Sequence, residues 1–133
     1  MKLYLSPIKK ALDSLSEILQ RPQTESDLGL RDGAIQRFEY TFELSWKLMQ
    51  KILDLEHDPE STPSYSKRDL LRTMAKRGLI MDAEPWFKFL DASNQTVHGY
   101  DDKQAEAVFK EVKKFPSHVE EFIKNVEDKY TIE

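Results

Sequence analysis

The residues best suited to chemistry lie together in the stretch Asn94-Gln95-Thr96-Val97-His98-Gly99-Tyr100. On a helix, Asn94 and His98 are four residues apart and present an amide and an imidazole to one side. Imidazole is the side chain best suited to proton transfer near neutral pH. Tyr100 follows a glycine, so its hydroxyl could return over the same surface. A histidine in the last turn of a helix also has a structural use, since its positive charge favours the helix carbonyls, and this is the commoner explanation of a lone histidine.

A second group of candidate binding residues lies on a predicted long helix over residues 30–55. Arg37 falls inside the apolar arc of that helix, where a charge must find a partner. An ion pair between helices or between subunits explains Arg37 as well as ligand binding does. Glu43 and Lys47 are four residues apart, in the order that also suits an ordinary surface pair.

One short segment of the chain is strongly basic, and it is predicted to form a helix of its own. It could contact phosphate or an acidic partner, although a solvated face is the commoner explanation of such a charge run. Its cations are Lys67, Arg68, Arg72, Lys76 and Arg77.

Composition narrows the class of protein. The chain has 133 residues, which suits one domain over 1–133, and it has no cysteine and only four glycines. Thiolate chemistry and a glycine-rich phosphate loop are therefore excluded, and no metal-ligand spacing is present, so we expect neither a metal nor another cofactor. A net charge of −4 argues against a surface that is basic overall and binds nucleic acid. No apolar run is long enough to cross a membrane. We expect a cytoplasmic protein whose partners include neither DNA nor a membrane, while a nucleotide or RNA remains open.

Helical periodicity runs through nearly the whole chain, and no stretch alternates as a strand does. The predicted fold is all-α: an antiparallel, up-and-down four-helix bundle with a short additional helix. Pro116 interrupts the last helix, and its apolar stripe keeps one phase on both sides, which favours a kink over a break that restarts at Ser117. The apolar arc of the second helix is wider than one neighbour requires, which indicates a central helix or one that also meets a second subunit. The predicted helices are 6–20, 30–55, 67–77 with Ser66 as N-cap, a fourth from Asp82 to Gly99, and a fifth capped by Asp101 or Asp102.

Two segments together resemble a known family. The stretch Arg31-Asp32-Gly33-Ala34-Ile35-Gln36-Arg37-Phe38-Glu39-Tyr40-Thr41-Phe42-Glu43-Leu44-Ser45-Trp46-Lys47 resembles the second-helix signature of the nucleotidyltransferase substrate-binding proteins. The residues from Asn94 to Tyr100 resemble the Arg-Asn-x-x-x-His-x-Tyr motif of the same group, which belongs to the HEPN superfamily of small helical bundles.

This resemblance implies a homodimeric bundle that pairs with a minimal nucleotidyltransferase made as a separate chain. It implies a non-catalytic, substrate-binding subunit of a two-chain enzyme. Related toxin members of toxin–antitoxin systems are metal-independent ribonucleases, whose motif residues lie at the dimer interface and whose nucleotidyltransferase acts as antitoxin. In some of these systems the nucleotidyltransferase adenylylates the motif tyrosine, which corresponds to Tyr100.

The chain departs from the motif at one position. Ser93 stands where the ribonuclease motif has arginine, and the preceding Ala92 and Asp91 are not arginine either. Metal-free RNA cleavage needs an acid–base residue, here His98, and a fixed cation for the charged transition state, whose loss costs about a hundredfold or more in rate. The alternative to a binding subunit is a HEPN-type ribonuclease toxin that uses His98, in which Ser93 replaces the motif arginine.

Overall fold

The computed structural model describes residues 2–56, 66–96, 99 and 101–133. Four long helices and one short one make up this part of the chain, and its only β pairing is an isolated bridge between Leu3 and Ile132. The predicted fold, an antiparallel four-helix bundle with a short additional helix, is confirmed. The helices are α1 (Ser6–Leu19), α2 (Leu28–Leu55), α3 (Lys67–Lys76), α4 (Ala83–Thr96) and α5 (Asp102–Lys129), and a 3-10 turn (Pro22–Glu25) precedes α2.

Side-chain caps set the helix starts. Ser66 accepts a hydrogen bond from the amide of Asp69, as predicted for an N-cap. Of the two predicted caps of the last helix, Asp101 is the one found, and it forms a reciprocal capping box with Gln104. The second helix begins two residues earlier than predicted, because Asp27 caps it through the amide of Leu30. Gly78 follows the end of α3 and has φ +73°, the left-handed conformation that glycine commonly adopts there.

The centre of the core is a cluster of aromatic rings around Phe115. This ring meets Phe38, Trp86 and Phe89 edge to face, at centroid distances of 5.0, 5.4 and 4.9 Å. Helix α5 continues through Pro116, so the alternative of a break that restarts at Ser117 is wrong. An unbroken α5 lets one side chain hold α2 and α4 together.

Helix α2 packs against all four other helices, which confirms the interpretation of its wide apolar arc as that of a central helix. The basic helix α3 is fastened to its neighbours by its own cations. Lys67 lies over the ring of Trp46 on α2, Arg68 pairs with Asp91 on α4 at 2.9 Å, and Arg72 lies over the ring of Phe87. These three cations remain exposed, as the interpretation of a solvated face holds, and they also contribute packing contacts within the chain.

In the part of the chain that the structure describes, no helix combines the length and apolar character needed to cross a membrane.

Replacing Phe115 by alanine should lower the free energy of unfolding by about 3–5 kcal/mol, because it removes the ring that α2, α4 and α5 share. Urea denaturation followed by circular dichroism measures this change. The matched control is Phe87→Ala, which truncates a half-buried ring at the edge of the bundle and should cost less than half as much. Equal losses for the two variants would contradict the central role of Phe115.

Candidate functional site

A cavity of about 350 Å³ opens between α2, α3 and the C-terminal part of α4, and we call it the α2–α4 cleft. Helix α2 supplies most of its wall, because side chains three and four residues apart share one face of a helix. Its lining combines aromatic rings, two carboxylates, an ammonium group and a hydroxyl. The lining residues are Glu39, Tyr40, Phe42, Glu43, Trp46, Lys67 and Ser93.

The two carboxylates of the cleft differ in their surroundings. Oε1 of Glu39 is buried and has no hydrogen-bond partner among the described residues. Glu43 accepts a hydrogen bond from Lys47 at 2.8 Å, and this bond holds the pKa of Glu43 below its ordinary value, with a smaller contribution from the charge of Lys67. The predicted Glu43–Lys47 pair therefore exists, and both of its members are exposed.

Arg37 lies on the other side of α2, facing α1. Its Nη1 donates to the carbonyl of Ser14 at 2.8 Å and to Oε2 of Glu17 at 2.9 Å. The structure thus bears out the interhelical ion pair, one of the two explanations left open. Arg37 and Tyr40 also line a separate surface cavity of about 490 Å³ between α1 and α2.

The candidates from the second motif fall at the end of α4. Asn94 is exposed there, and its neighbour Ser93 lines the α2–α4 cleft. His98 and Tyr100 lie outside the described residues, so the predicted convergence of amide, imidazole and phenol remains a prediction. Of the four candidate binding residues that the structure describes, only Glu43 lines the cleft, and Tyr40 is the residue shared by the two cavities.

Sequence reasoning missed the burial of Arg31, which is only 6% exposed. Its Nη2 lies 3.2 Å from Asp102 at the start of α5, while its Nε is buried without a hydrogen-bond partner among the described residues. The helical periodicity of the sequence does not predict this burial, because Arg31 occupies the first turn of α2, where polar residues are usually solvated. It ties the start of α2 to the start of α5, immediately after the motif segment.

The chain is thus a helical bundle with an open, polar cleft along its second helix. Comparison with known proteins shows the family to which this bundle belongs. The model of the family described as nucleotidyltransferase substrate binding protein like matches residues 3–128. The chain therefore belongs to this family, and the family predicted from its two segments is confirmed.

Solved structures agree with this assignment over nearly the whole chain. HI0074 of Haemophilus influenzae, described as having the fold of a substrate-binding domain of a nucleotidyltransferase, is 28% identical and superposes with a TM-score of 0.80. That match covers 92% of this chain and 98% of HI0074. A protein of Thermus thermophilus is 30% identical, with a TM-score of 0.74 over 90% of this chain and 98% of its own.

A curated relative carries a different name. The chain is 38% identical over 86 residues to a protein of Haemophilus influenzae named "Probable ribonuclease HepT". The match spans 62% of this chain and 58% of the length of that relative.

The contact between α1 and α2 predicts a pH dependence at Glu17. Hydrogen bonds from Arg21 and then from Arg37 hold the pKa of Glu17 below its ordinary value. These bonds therefore stabilise the fold above that ordinary pKa, and their contribution is lost as the pH falls through the lowered folded-state pKa. Arg37→Met should move the Glu17 pKa part of the way back up in a carboxyl-carbon NMR titration. Arg72→Met, which removes a cation bound to Asp69 on α3, should leave it unchanged, and an unmoved Glu17 in Arg37→Met would contradict the contact.

Proposed function

We propose that this chain is the non-catalytic, substrate-binding subunit of a two-chain nucleotidyltransferase. The family match over residues 3–128 carries the proposal, and the near-complete overlap with HI0074 supports it. In this role the bundle binds a separate, minimal nucleotidyltransferase, whose active site performs the transfer. The bundle then supplies the surface that binds the nucleotidyltransferase and the side chain that this enzyme modifies.

The proposed unit is a homodimer. An exposed surface on the α1–α2 side supports this part of the proposal, because Tyr4 is largely exposed there beside the half-buried Leu44. Aromatic side chains are enriched at interfaces, since they bury much area at little cost in conformational freedom. A second copy would cover these side chains.

The modified group in this proposal is the phenol of Tyr100. Its oxygen forms a bond to the α-phosphorus of ATP, the bond to the β-phosphate breaks, pyrophosphate leaves, and the phenol proton passes to a base. Asn94 and His98 would shape the polar surface around it. Lys47 is better able than Arg37 to offer charge to a phosphate, because its exposed pair with Glu43 exchanges easily, whereas Arg37 is bound to α1 by two hydrogen bonds.

The proposal predicts a stable complex and a covalent product. Co-expression with the nucleotidyltransferase of the neighbouring gene should give a complex whose stoichiometry light scattering reports, with two copies of this chain. Incubation with ATP should add at least one adenylyl group to this chain by mass spectrometry. Tyr100→Phe should abolish that gain, and the matched control Tyr130→Phe, a tyrosine that lines neither cavity, should not. Failure of the complex to form, or an unmodified Tyr100, would overturn the proposal.

A second candidate is a HEPN-type ribonuclease, which the name of the Haemophilus influenzae relative favours. His98 would act as acid–base residue. The missing cation at Ser93 weakens this candidate, because charge stabilisation in the transition state is usually a large part of such catalysis.

Expression of this chain alone in bacteria separates the two candidates. A binding subunit should leave growth and cellular RNA intact. Toxicity that His98→Ala abolishes would instead establish the ribonuclease. In that case Ser93→Arg should raise the cleavage rate by about a hundredfold, because it restores the fixed cation.

A further inference from the structure

We infer that the α2–α4 cleft is a receptor for a guanidinium group, and that an arginine of the nucleotidyltransferase chain occupies it. The assignment of this arginine to the nucleotidyltransferase chain rests on the proposed function. The binding of a guanidinium group is argued from the cleft alone.

The buried carboxylate oxygen of Glu39 is the observation that points to a cationic ligand. A buried acceptor without a partner costs about 1–3 kcal/mol, and a charged donor from outside would recover that cost. Glu43 adds a second carboxylate to the same wall. Lys67 is the one cation among the described lining residues, and Glu43 is already paired with Lys47, so the carboxylate left without a partner there is that of Glu39.

The lining of the cleft favours guanidinium over ammonium. A guanidinium is planar, donates two parallel hydrogen bonds to a carboxylate and stacks on aromatic rings. Tyr40 and Trp46 supply aromatic surface, and Ser93 offers a hydroxyl oxygen as a further acceptor. One ammonium, that of Lys67, already lies 4.5 Å from the centre of the Trp46 ring, so this wall is shown to hold a cation.

The arginine comes from a different protein rather than from a second copy of this chain. All six arginines of the sequence lie in the described residues, and each is bound to a carboxylate of its own chain. A second copy therefore has no arginine to give without breaking one of its own pairs. The six pairs are Arg21 with Glu17, Arg31 with Asp102, Arg37 with Glu17, Arg68 with Asp91, Arg72 with Asp69, and Arg77 with Glu56.

Fluorescence of Trp46 tests the chemistry of the cleft directly, since Trp86, the other tryptophan, is buried in the core. The probe is N-acetyl-arginine amide, and its counterpart made from citrulline has the same shape without the charge. Wild-type protein should give a saturable change with the arginine probe and none with the citrulline probe. Glu39→Gln should weaken the arginine response at least about tenfold, and the matched control Glu120→Gln, an exposed acid of α5, should not.

A second variant allows the test to be made even if Glu39→Gln does not fold. Ser93→Arg places a guanidinium beside Glu39 from within the chain, so it should raise the melting temperature and remove the response to the probe. An equal response to the citrulline probe, or full binding by a folded Glu39→Gln or Ser93→Arg variant, would overturn the inference.

The source of the arginine is tested on the complex with the nucleotidyltransferase. Glu39→Gln should weaken the complex at least about tenfold, and Glu120→Gln should leave it intact. Equal affinity of the two variants would overturn the inference and leave the proposed function standing. Absence of any complex with wild-type protein would overturn the proposed function and the assignment of the arginine, while the probe titration would still decide what the cleft binds.

Discussion

The fold depends on the central position of α2. This one helix packs against every other helix, so its apolar face must extend far around the axis, and Phe38 and Phe42 meet the Phe115 ring of α5 from it. Its charged side chains are confined to the faces that remain. Arg37 reaches α1, Glu39 and Glu43 line a cleft, and Lys51 and Asp54 are exposed.

The same constraint explains how the site is built. Helix α3 covers one side of α2 through cation–aromatic contacts and an ion pair to α4, and the α2–α4 cleft is the space that remains between these three helices. Ser93 is small, so it leaves the cleft open beside it, and the carboxylate oxygen of Glu39 has no partner among the described residues.

Local rules predicted the helices well because caps and stop signals act over a few residues. Ser66, Asp101 and Gly78 do what their residue types predict. Asp27 was missed because it lies in a polar stretch that resembles an ordinary connection. Periodicity also showed that the apolar stripe of the last helix keeps one phase on both sides of Pro116, and α5 runs unbroken there.

The site was less predictable because its parts come from different helices. Spacing along α2 indicated the Glu43–Lys47 pair, but no pattern within one helix shows that Lys67, Ser93 and Glu39 share a cleft. For Arg37 the sequence left an ion pair and ligand binding equally open, and only the position of α1 decides for the pair with Glu17. The burial of Arg31 likewise depends on where α5 begins.

The central claim is that the face formed by α2, α3 and the end of α4 carries the nucleotidyltransferase. Site-specific photo-cross-linking tests it most directly, with a photoreactive phenylalanine derivative in place of Asn94 or, as control, of Met81, which is 85% exposed outside this face. The account predicts that position 94 cross-links to the nucleotidyltransferase chain and position 81 does not, as judged by the mass of the product. Cross-linking from position 81 alone, or from neither position in a complex that forms, would contradict it.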